Sequence, residues 1–475
     1  MTPAAHGTPG QSAAQSHQQI VDRLIGRWPE HRIAPSLGRI QALCDLLGNP
    51  ERSCPVIQIA GTNGKGSTAI MVDALLRSDG LRTGRFSSPH LTDVTERICI
   101  DGEPISAERF DEVWADIEPY VEMVDAQQID GVSMTFFEVI TAMAYAAFAD
   151  APVDVMVIEV GLGGSWDATN VADAQVAVIC PIDLDHTHIL GDDVVDIAHE
   201  KAGIIKPGST AVMAAQSEEV ARVLVERCTE VGARMVLEGN DFQLLDRTQA
   251  VGGQLLRLQG AEGPVGDIHL PVFGAHMAHN AALAMAAVES LLGGRALSPE
   301  VVVDGFAAVE APARMELVRT SPPVVLDTCH NPHGVTATLS AMAENYSFAP
   351  MIGVVAMMKD KDVESVMRLF AEQMDVIICT QVAGTDRGVP AEDLAEVARG
   401  IAGQERVHSA ASVDAALDLA VTMADQQPGA GVLVAGSVIL AGQARGMLKQ
   451  DAEPQHEPTR EELTTPFDLD GDDQW

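Results

Sequence analysis

The chain reads as an α/β protein, with a mostly parallel sheet and crossover helices followed by a second, smaller unit of the same class. Three observations carry this. Short apolar runs of strand length alternate with segments of helical period, the pattern of a parallel sheet buried under helices on both faces. Glycine is plentiful, 41 of 475 residues, while aromatic residues make up 4%, which suits many tight strand-to-helix turns. The alternation restarts after Ala311-Pro312-Ala313, so a boundary is expected near residue 311.

In chain order, residues 1–17 are rich in Ala, Gln, His and Pro and read as a disordered arm. Residues 18–310 form the first unit, with strands over Val56-Ile57-Gln58-Ile59-Ala60, 153–160 and 175–180 and a helix over 67–78. Residues 311–450 form the second, with strands at 324–326, 352–356, 376–380 and 432–435 between helical stretches. Residues 451–475 read as an acidic disordered tail. No repeat of fixed period is present, which excludes a solenoid.

Lys and Arg number 30 against 68 Asp and Glu, a net charge of −38 that opposes any broad grip on nucleic acid or an anionic membrane. An anionic ligand must therefore be held by a local site. The seven cysteines are widely spaced without a Cys-x-x-Cys pair, so neither a disulfide framework nor a zinc knuckle is indicated. No run approaches the roughly 18 apolar residues of a membrane span, and the first segment lacks the apolar core of a secretion signal. The expected compartment is the reducing cytoplasm.

The strongest chemical signal is Gly61-Thr62-Asn63-Gly64-Lys65-Gly66-Ser67, placed between a strand pattern and a helix pattern. Glycines there let backbone N–H groups turn toward phosphate oxygens, the lysine adds a point charge, and the helix N-terminus adds partial positive charge. Gly66 intervenes between Lys65 and Ser67, so the segment departs from the strict phosphate-loop pattern. The plain alternative is a glycine-rich turn with no ligand. Glu159, at the end of an apolar strand and before Gly161-Leu162-Gly163-Gly164, is placed to hold Mg²⁺ beside the phosphates, the alternative being a solvated strand end. Leu184-Asp185-His186-Thr187-His188 follows the next strand and emerges at the same sheet edge; as loop histidines, both also fit a plain surface role.

These segments, with Ser88-Pro89-His90, Glu96-Arg97-Ile98, Asp167-Ala168-Thr169-Asn170, Glu200-Lys201-Ala202-Gly203-Ile204 and Asp327-Thr328-Cys329-His330-Asn331-Pro332, converge. The chain resembles the folylpolyglutamate synthase and dihydrofolate synthase family within the Mur ligase superfamily, over roughly residues 20–445. The resemblance implies a P-loop ATPase-type domain followed by a smaller Rossmann-like domain. It implies an ATP-dependent amide ligase that adds L-glutamate to dihydropteroate and to folates already bearing glutamate, through an acyl phosphate, releasing ADP and phosphate. One or two Mg²⁺ ions, ATP as co-substrate and a monovalent cation are implied too, with no nucleic-acid or membrane partner and a monomeric state.

Residue by residue, the resemblance puts Ser88, Glu159 and His186 at Mg²⁺ positions and Lys201 at that of a carbamylated lysine, with Lys65, Lys201 and His186 catalytic. The ATP contacts are the loop Gly61, Thr62, Asn63, Gly64, Lys65, Gly66 and Ser67, with Asn280, Arg314 and Asp327. The pterin-bearing substrate would lie against Ser36-Leu37-Gly38, Thr135-Phe136-Phe137-Glu138 and Trp166-Asp167-Ala168, with His330 a further ligand contact. Ser165 stands where many relatives have arginine, and Met277 where many have glutamine. Plainer roles stay open: a linker salt bridge for Arg314, a helix-packing amide for Asn280, a turn before Pro332 for His330 and Asn331, and a capping box for Thr135 and Glu138. Two other functions compete, a Mur-type ligase for a different acid and a nucleotide-dependent switch. The absence of an Asn-Lys-x-Asp guanine-reading motif argues against the switch.

Overall fold

Strands β1 (Val56–Ala60), β2 (Thr83–Phe86), β3 (Ile98–Ile100), β4 (Glu103–Pro104), β5 (Val155–Glu159), β6 (Val176–Ile179), β7 (Thr210–Met213) and β8 (Arg234–Leu237) form one sheet in the order β4-β3-β2-β5-β1-β6-β7-β8. From β2 to β8 every pairing is parallel, and β3 and β4 add an antiparallel edge. The computed structural model describes residues 9–27 and 34–450. β1 lies near the middle of the sheet and is buried along its whole length. Its alternation feeds two cores, as the two-residue period of a strand requires. Ile57 and Ile59 pack with helices Lys65–Ser78 and Ala275–Leu291, while Val56 faces the cluster that holds Phe110, Val139 and Phe148.

A three-stranded antiparallel sheet follows, β9 (Gln243–Ala250), β10 (Gly253–Gly260) and β11 (Gly263–Leu270), which the alternation of strands and helices does not anticipate. Its signal in the sequence is the turn chemistry of Gly252-Gly253 and Gly263; Gly252 and Gly263 take φ of +73° and +135°, where a side chain would be strained. The remaining strands, β12 (Arg314–Thr320), β13 (Pro323–Asp327), β14 (Met351–Val355), β15 (Val376–Cys379), β16 (Val407–Ser409) and β17 (Gly431–Ala435), form a six-stranded sheet in the order β12-β13-β17-β14-β15-β16. Only β12 pairs antiparallel, and separate apolar clusters cover the two faces. β1, β6 and β13 end around a common cleft, the place where open parallel sheets bind ligands.

One expectation needs correction. Residues 9–17, assigned to a disordered arm, are the first half of helix Pro9–Ile25. The polar composition of the arm hid its anchor: Val21 and Leu24 are buried in the core beside Phe110, and His17 Nδ1 lies 2.7 Å from Asp111 Oδ1. Residues 1–8 and the acidic tail 451–475 lie outside the described residues. No helix among those described is long and apolar enough to cross a membrane, and all seven cysteines are free.

Candidate active site between the two sheets

The loop after β1 is shaped by close approach. Gly61 has φ +150°, and a Cβ there would stand 2.6 Å from Cys180 Cβ; Gly64 has φ +88°, and a Cβ there would stand 2.8 Å from Asn280 Oδ1. Thr62 ties the loop to the segment after β6, its Oγ1 donating to Asp183 O at 2.8 Å. Lys65, the first residue of its helix, folds back so that Nζ donates to Gly61 O at 3.0 Å and Thr62 O at 3.3 Å. The lysine thus caps the carbonyls of its own loop, with no ion pair among the described residues.

Two buried charges flank this loop. A Cβ at Gly66 would lie 3.4 Å from Glu159 Oε2, so the carboxylate sits directly under the loop, and the same oxygen accepts from Ser88 N at 3.3 Å. Burial raises the Glu159 pKa above its usual value and outweighs Lys65, the Ser88 N–H and Arg314, which favour the anion. Lys201 is buried on helix Val194–Ala202 and donates to Gly61 O at 3.0 Å. Burial first, then repulsion from Lys65, lowers its pKa to about 7. Neither Glu159 nor Lys201 has an ion-pair partner among the described residues.

The opposite wall comes from the second sheet. Arg314 opens β12 between Ala313 and Met315, both in the left-handed region at φ +52° and +51°, and its guanidinium reaches Thr328 Oγ1. Asp327, at the end of β13, is buried with both oxygens engaged: Oδ1 accepts from Cys329 N at 2.8 Å and Thr338 Oγ1 at 2.9 Å, and Oδ2 from Met315 N at 3.0 Å. The two walls meet at Asp185. Lys361, from the segment after β14, donates to Asp185 Oδ1 at 2.7 Å and lies 3.2 Å from His186 Nε2. Asn331 Nδ2 donates to Asp185 Oδ2 and to Asn63 Oδ1, each at 3.0 Å, and His330 Nε2 is 3.6 Å from Asp185 Oδ2. Burial alone would raise the Asp185 pKa, but His330, Lys361 and His186 hold it well below the usual carboxylate range. Burial and then Lys361 push His186 down to about 3, so its imidazole is neutral, with φ +51° in the left-handed region. His188, two residues further on, is exposed.

The cleft between these walls has a volume of about 920 Å³ and is lined by Asn63, Gly64, Ser67, Asn280, Arg314, Asp327 and His330 among others. Among the described residues no cluster of three His, Cys, Asp or Glu side chains could by itself hold a metal ion. Ser88, Glu159 and His186 offer a hydroxyl, a carboxylate and a neutral imidazole, a donor set that fits Mg²⁺ when phosphate oxygens and water complete the shell.

The residues expected to face the pterin differ among themselves. Thr135 and Glu138 form the capping box, Glu138 Oε2 accepting from Thr135 N at 2.7 Å and Thr135 Oγ1 from Glu138 N at 3.1 Å, and buried Arg39 donates to Glu138 Oε1 at 3.0 Å. Thr135, Phe136 and Glu138 are thus committed to the interior, while Phe137 keeps exposed surface. Asp167 is buried, accepting from Leu162 N at 2.9 Å and Thr169 N at 3.0 Å, whereas Trp166 is half-exposed. Ser36 pairs with Asp130 and accepts from Gly38 N at 3.0 Å. Asn280 is buried against Gly64, with Met277 Sδ 3.9 Å from its Nδ2. Lys361 and the junction at Asp185 are what sequence reasoning missed. Their only signal was Lys359-Asp360-Lys361-Asp362 beyond the carboxyl end of a strand.

A glycine-rich strand-to-helix loop on one mostly parallel sheet, facing a second α/β unit across a cleft, is the arrangement of a two-domain nucleotide-dependent ligase of the Mur type. Residues 59–288 match the Mur ligase middle domain, and residues 313–438 match the Mur ligase glutamate ligase domain. The chain belongs to the folylpolyglutamate synthase/dihydrofolate synthase family. A Mycobacterium tuberculosis protein named dihydrofolate synthase/folylpolyglutamate synthase is 44% identical over 458 residues, covering 91% of this chain and 94% of that one. The structure of Mycobacterium tuberculosis folylpolyglutamate synthase complexed with ADP aligns at a TM-score of 0.89, covering 92% of this chain and 99% of that one. An Escherichia coli relative, solved in complex with DHPP and ADP, aligns at 0.79 with 30% identity, covering 95% of this chain and 100% of that one.

Proposed function

We propose that the protein joins the amino group of L-glutamate to the carboxylate of dihydropteroate, and of folates that already carry glutamate, by way of an acyl phosphate made from ATP. The observation that carries this reading is the glycine loop Gly61–Ser67, where Lys65 and Lys201 both donate to Gly61 O above the buried Glu159, beside a cleft lined by Asn63, Gly64, Ser67 and Arg314. A loop of this kind can hold an anion locally in a chain whose net charge of −38 repels anions elsewhere. The relatives support the choice of acid, since one is solved with DHPP and ADP and another with AMPPCP and folate.

In this reading the loop N–H groups and Lys65 hold the phosphates, Lys65 leaving its two carbonyls to do so. Arg314 and Asn280 fix the nucleotide from opposite walls. Ser88, Glu159 and His186 would hold Mg²⁺, which when bound would supply positive charge against the transferring group. The acceptor carboxylate attacks the γ-phosphorus and ADP leaves; the glutamate amine then attacks the acyl carbon and phosphate leaves. The junction at Asp185 closes the cleft, which keeps water from the acyl phosphate. Phe137, Trp166 and the turn Ser36-Leu37-Gly38 offer their exposed surface to the pterin.

Lys201 acts as its carbamate. Its neutral amine adds to CO₂ and releases a proton, a step that burial favours by lowering the Lys201 pKa to about 7, whereas an ordinary lysine is almost wholly protonated at neutral pH. The anion so formed can orient the metal or its waters beside His186. Residues 18–310 and 311–450 act as the two domains, and the free cysteines suit the cytoplasm. The test is incubation with ATP, Mg²⁺, glutamate and either dihydropteroate or a tetrahydrofolate monoglutamate, weighing the products. Both acids should gain a glutamyl residue with matching ADP and phosphate. AMP and pyrophosphate, or no extension of either acid, would contradict the reading, and extension of the folate alone would restrict it to polyglutamylation.

A further inference from the structure

We infer that the contact between Gly442 and Leu91 is the docking point through which the second domain holds the loop carrying Ser88, making both positioning residues; the inference rests on the ligase reading only for its catalytic consequence. Gly442 lies inside helix Val438–Gln450. A Cβ built there would overlap the Leu91 carbonyl oxygen and stand 2.8 Å from its carbonyl carbon. Two backbones therefore touch where any side chain would part them. Leu91 belongs to the loop after β2 in the first domain, yet it packs against the second domain's apolar cluster that includes Leu440 and Ala441.

The loop is stiff enough to pass a push along. The Glu96 carboxylate accepts from Leu91 N at 2.7 Å, Thr92 N at 3.2 Å and Asp93 N at 3.1 Å, clamping three consecutive amides. Ser88 stands three residues before Leu91, with its own N–H on Glu159 Oε2. The helix, by contrast, is braced: Arg445 Nε donates to Glu316 Oε2 at 2.8 Å, Lys449 Nζ is 3.1 Å from Glu316 Oε1, and Gln443 exchanges hydrogen bonds of 3.2 and 3.0 Å with the Ala383 backbone. A methyl group at Gly442 would displace the loop rather than the helix, and Ser88 would move off Glu159.

Glycine is a poorer helix former than alanine, so its presence here answers to the contact and not to the helix. The same helix supplies the control. Gly446, one turn further on, would place a Cβ with nothing within 4 Å.

The experiment compares full-length wild type with G442A, G446A and L91A by hydrogen–deuterium exchange without nucleotide or metal, and by glutamate ligation across a Mg²⁺ titration. Residues 87–97 should exchange about tenfold faster in G442A and a few-fold faster in L91A, with G446A at the wild-type rate. Turnover of G442A should fall about tenfold or more, with several-fold more Mg²⁺ needed for half-maximal rate, while G446A stays within about twofold. Wild-type exchange over 87–97 in both G442A and L91A, or an unchanged Mg²⁺ requirement, overturns the inference. Should G442A fail to fold, L91A decides alone. A wild-type protein that ligates nothing would refute the functional reading and leave the exchange comparison standing.

Discussion

The wall built from Lys65, Glu159 and Lys201 holds a part-buried lysine and two buried charges, none with an ion-pair partner among the described residues, whereas the junction around Asp185 pairs the charges it brings together. Burial raises Glu159 and lowers Lys201, in each case toward the neutral form. At Asp185 burial is overcome by partners, and the carboxylate is held firmly ionised. The first wall keeps ionisable groups buried at a cost in stability. The junction uses charge to hold two domains together.

The largest expected effect is on the first wall. Glu159→Gln should lower turnover on the order of a hundredfold or more, because it removes a negative charge where the metal is to sit. It should also stabilise the ligand-free protein. A raised pKa in the folded state means that the stability Glu159 contributes is present in acid and is lost as pH rises through the raised value. The melting temperature of the variant should therefore overtake that of wild type progressively as pH rises above the ordinary carboxylate range. A gap that stays constant or shrinks with rising pH would mean that the carboxylate is not paying a burial cost.

Lys201→Ala should lose nearly as much activity, and the remedy identifies the missing charge. Acetate or formate should partly restore turnover if the carbamate is what was removed; rescue by small amines alone would assign Lys201 as a cation. Next comes Lys361→Met, which keeps length and removes charge from the junction. It should reduce turnover about tenfold and, unlike the change at Glu159, lower stability by about 3 kcal/mol, the cost of stripping one partner from a buried pair. Calorimetry showing Lys361→Met as stable as wild type would erase the contrast between the two regions. The smallest effects separate two neighbours: His186→Ala should cost several-fold in rate, and His188→Ala, on an exposed ring, should stay within about twofold.

Much of the first wall was legible in the sequence because it is local. Gly61 to Ser67 is contiguous, Glu159 sits at a strand end, and the strand-turn-helix context of each can be read within a dozen residues. The junction is not local: Asp185 is joined to Asn331 and Lys361 across 146 and 176 residues, and no periodicity records such a pairing. The capping box of Thr135 and Glu138 has the same spacing as a site motif, so only burial and the Arg39 contact separate the two readings. The meander β9 to β11 escaped because the expectation of alternating strands and helices left no place for three strands in succession, although its glycine turns were in view. The helical residues 9–17 escaped because their anchors, Val21 and Leu24, lie beyond the polar segment itself.

The proposed ligation turns on an acyl phosphate formed in this cleft, and the acceptor carboxylate itself can report it. With ¹⁸O in that carboxylate, one labelled oxygen should pass to inorganic phosphate for each amide bond formed, since the bond made to phosphorus is the one retained when phosphate leaves. Label found wholly in the amide and in water, with none in phosphate, would contradict the mechanism and with it the role given to every charge on the first wall.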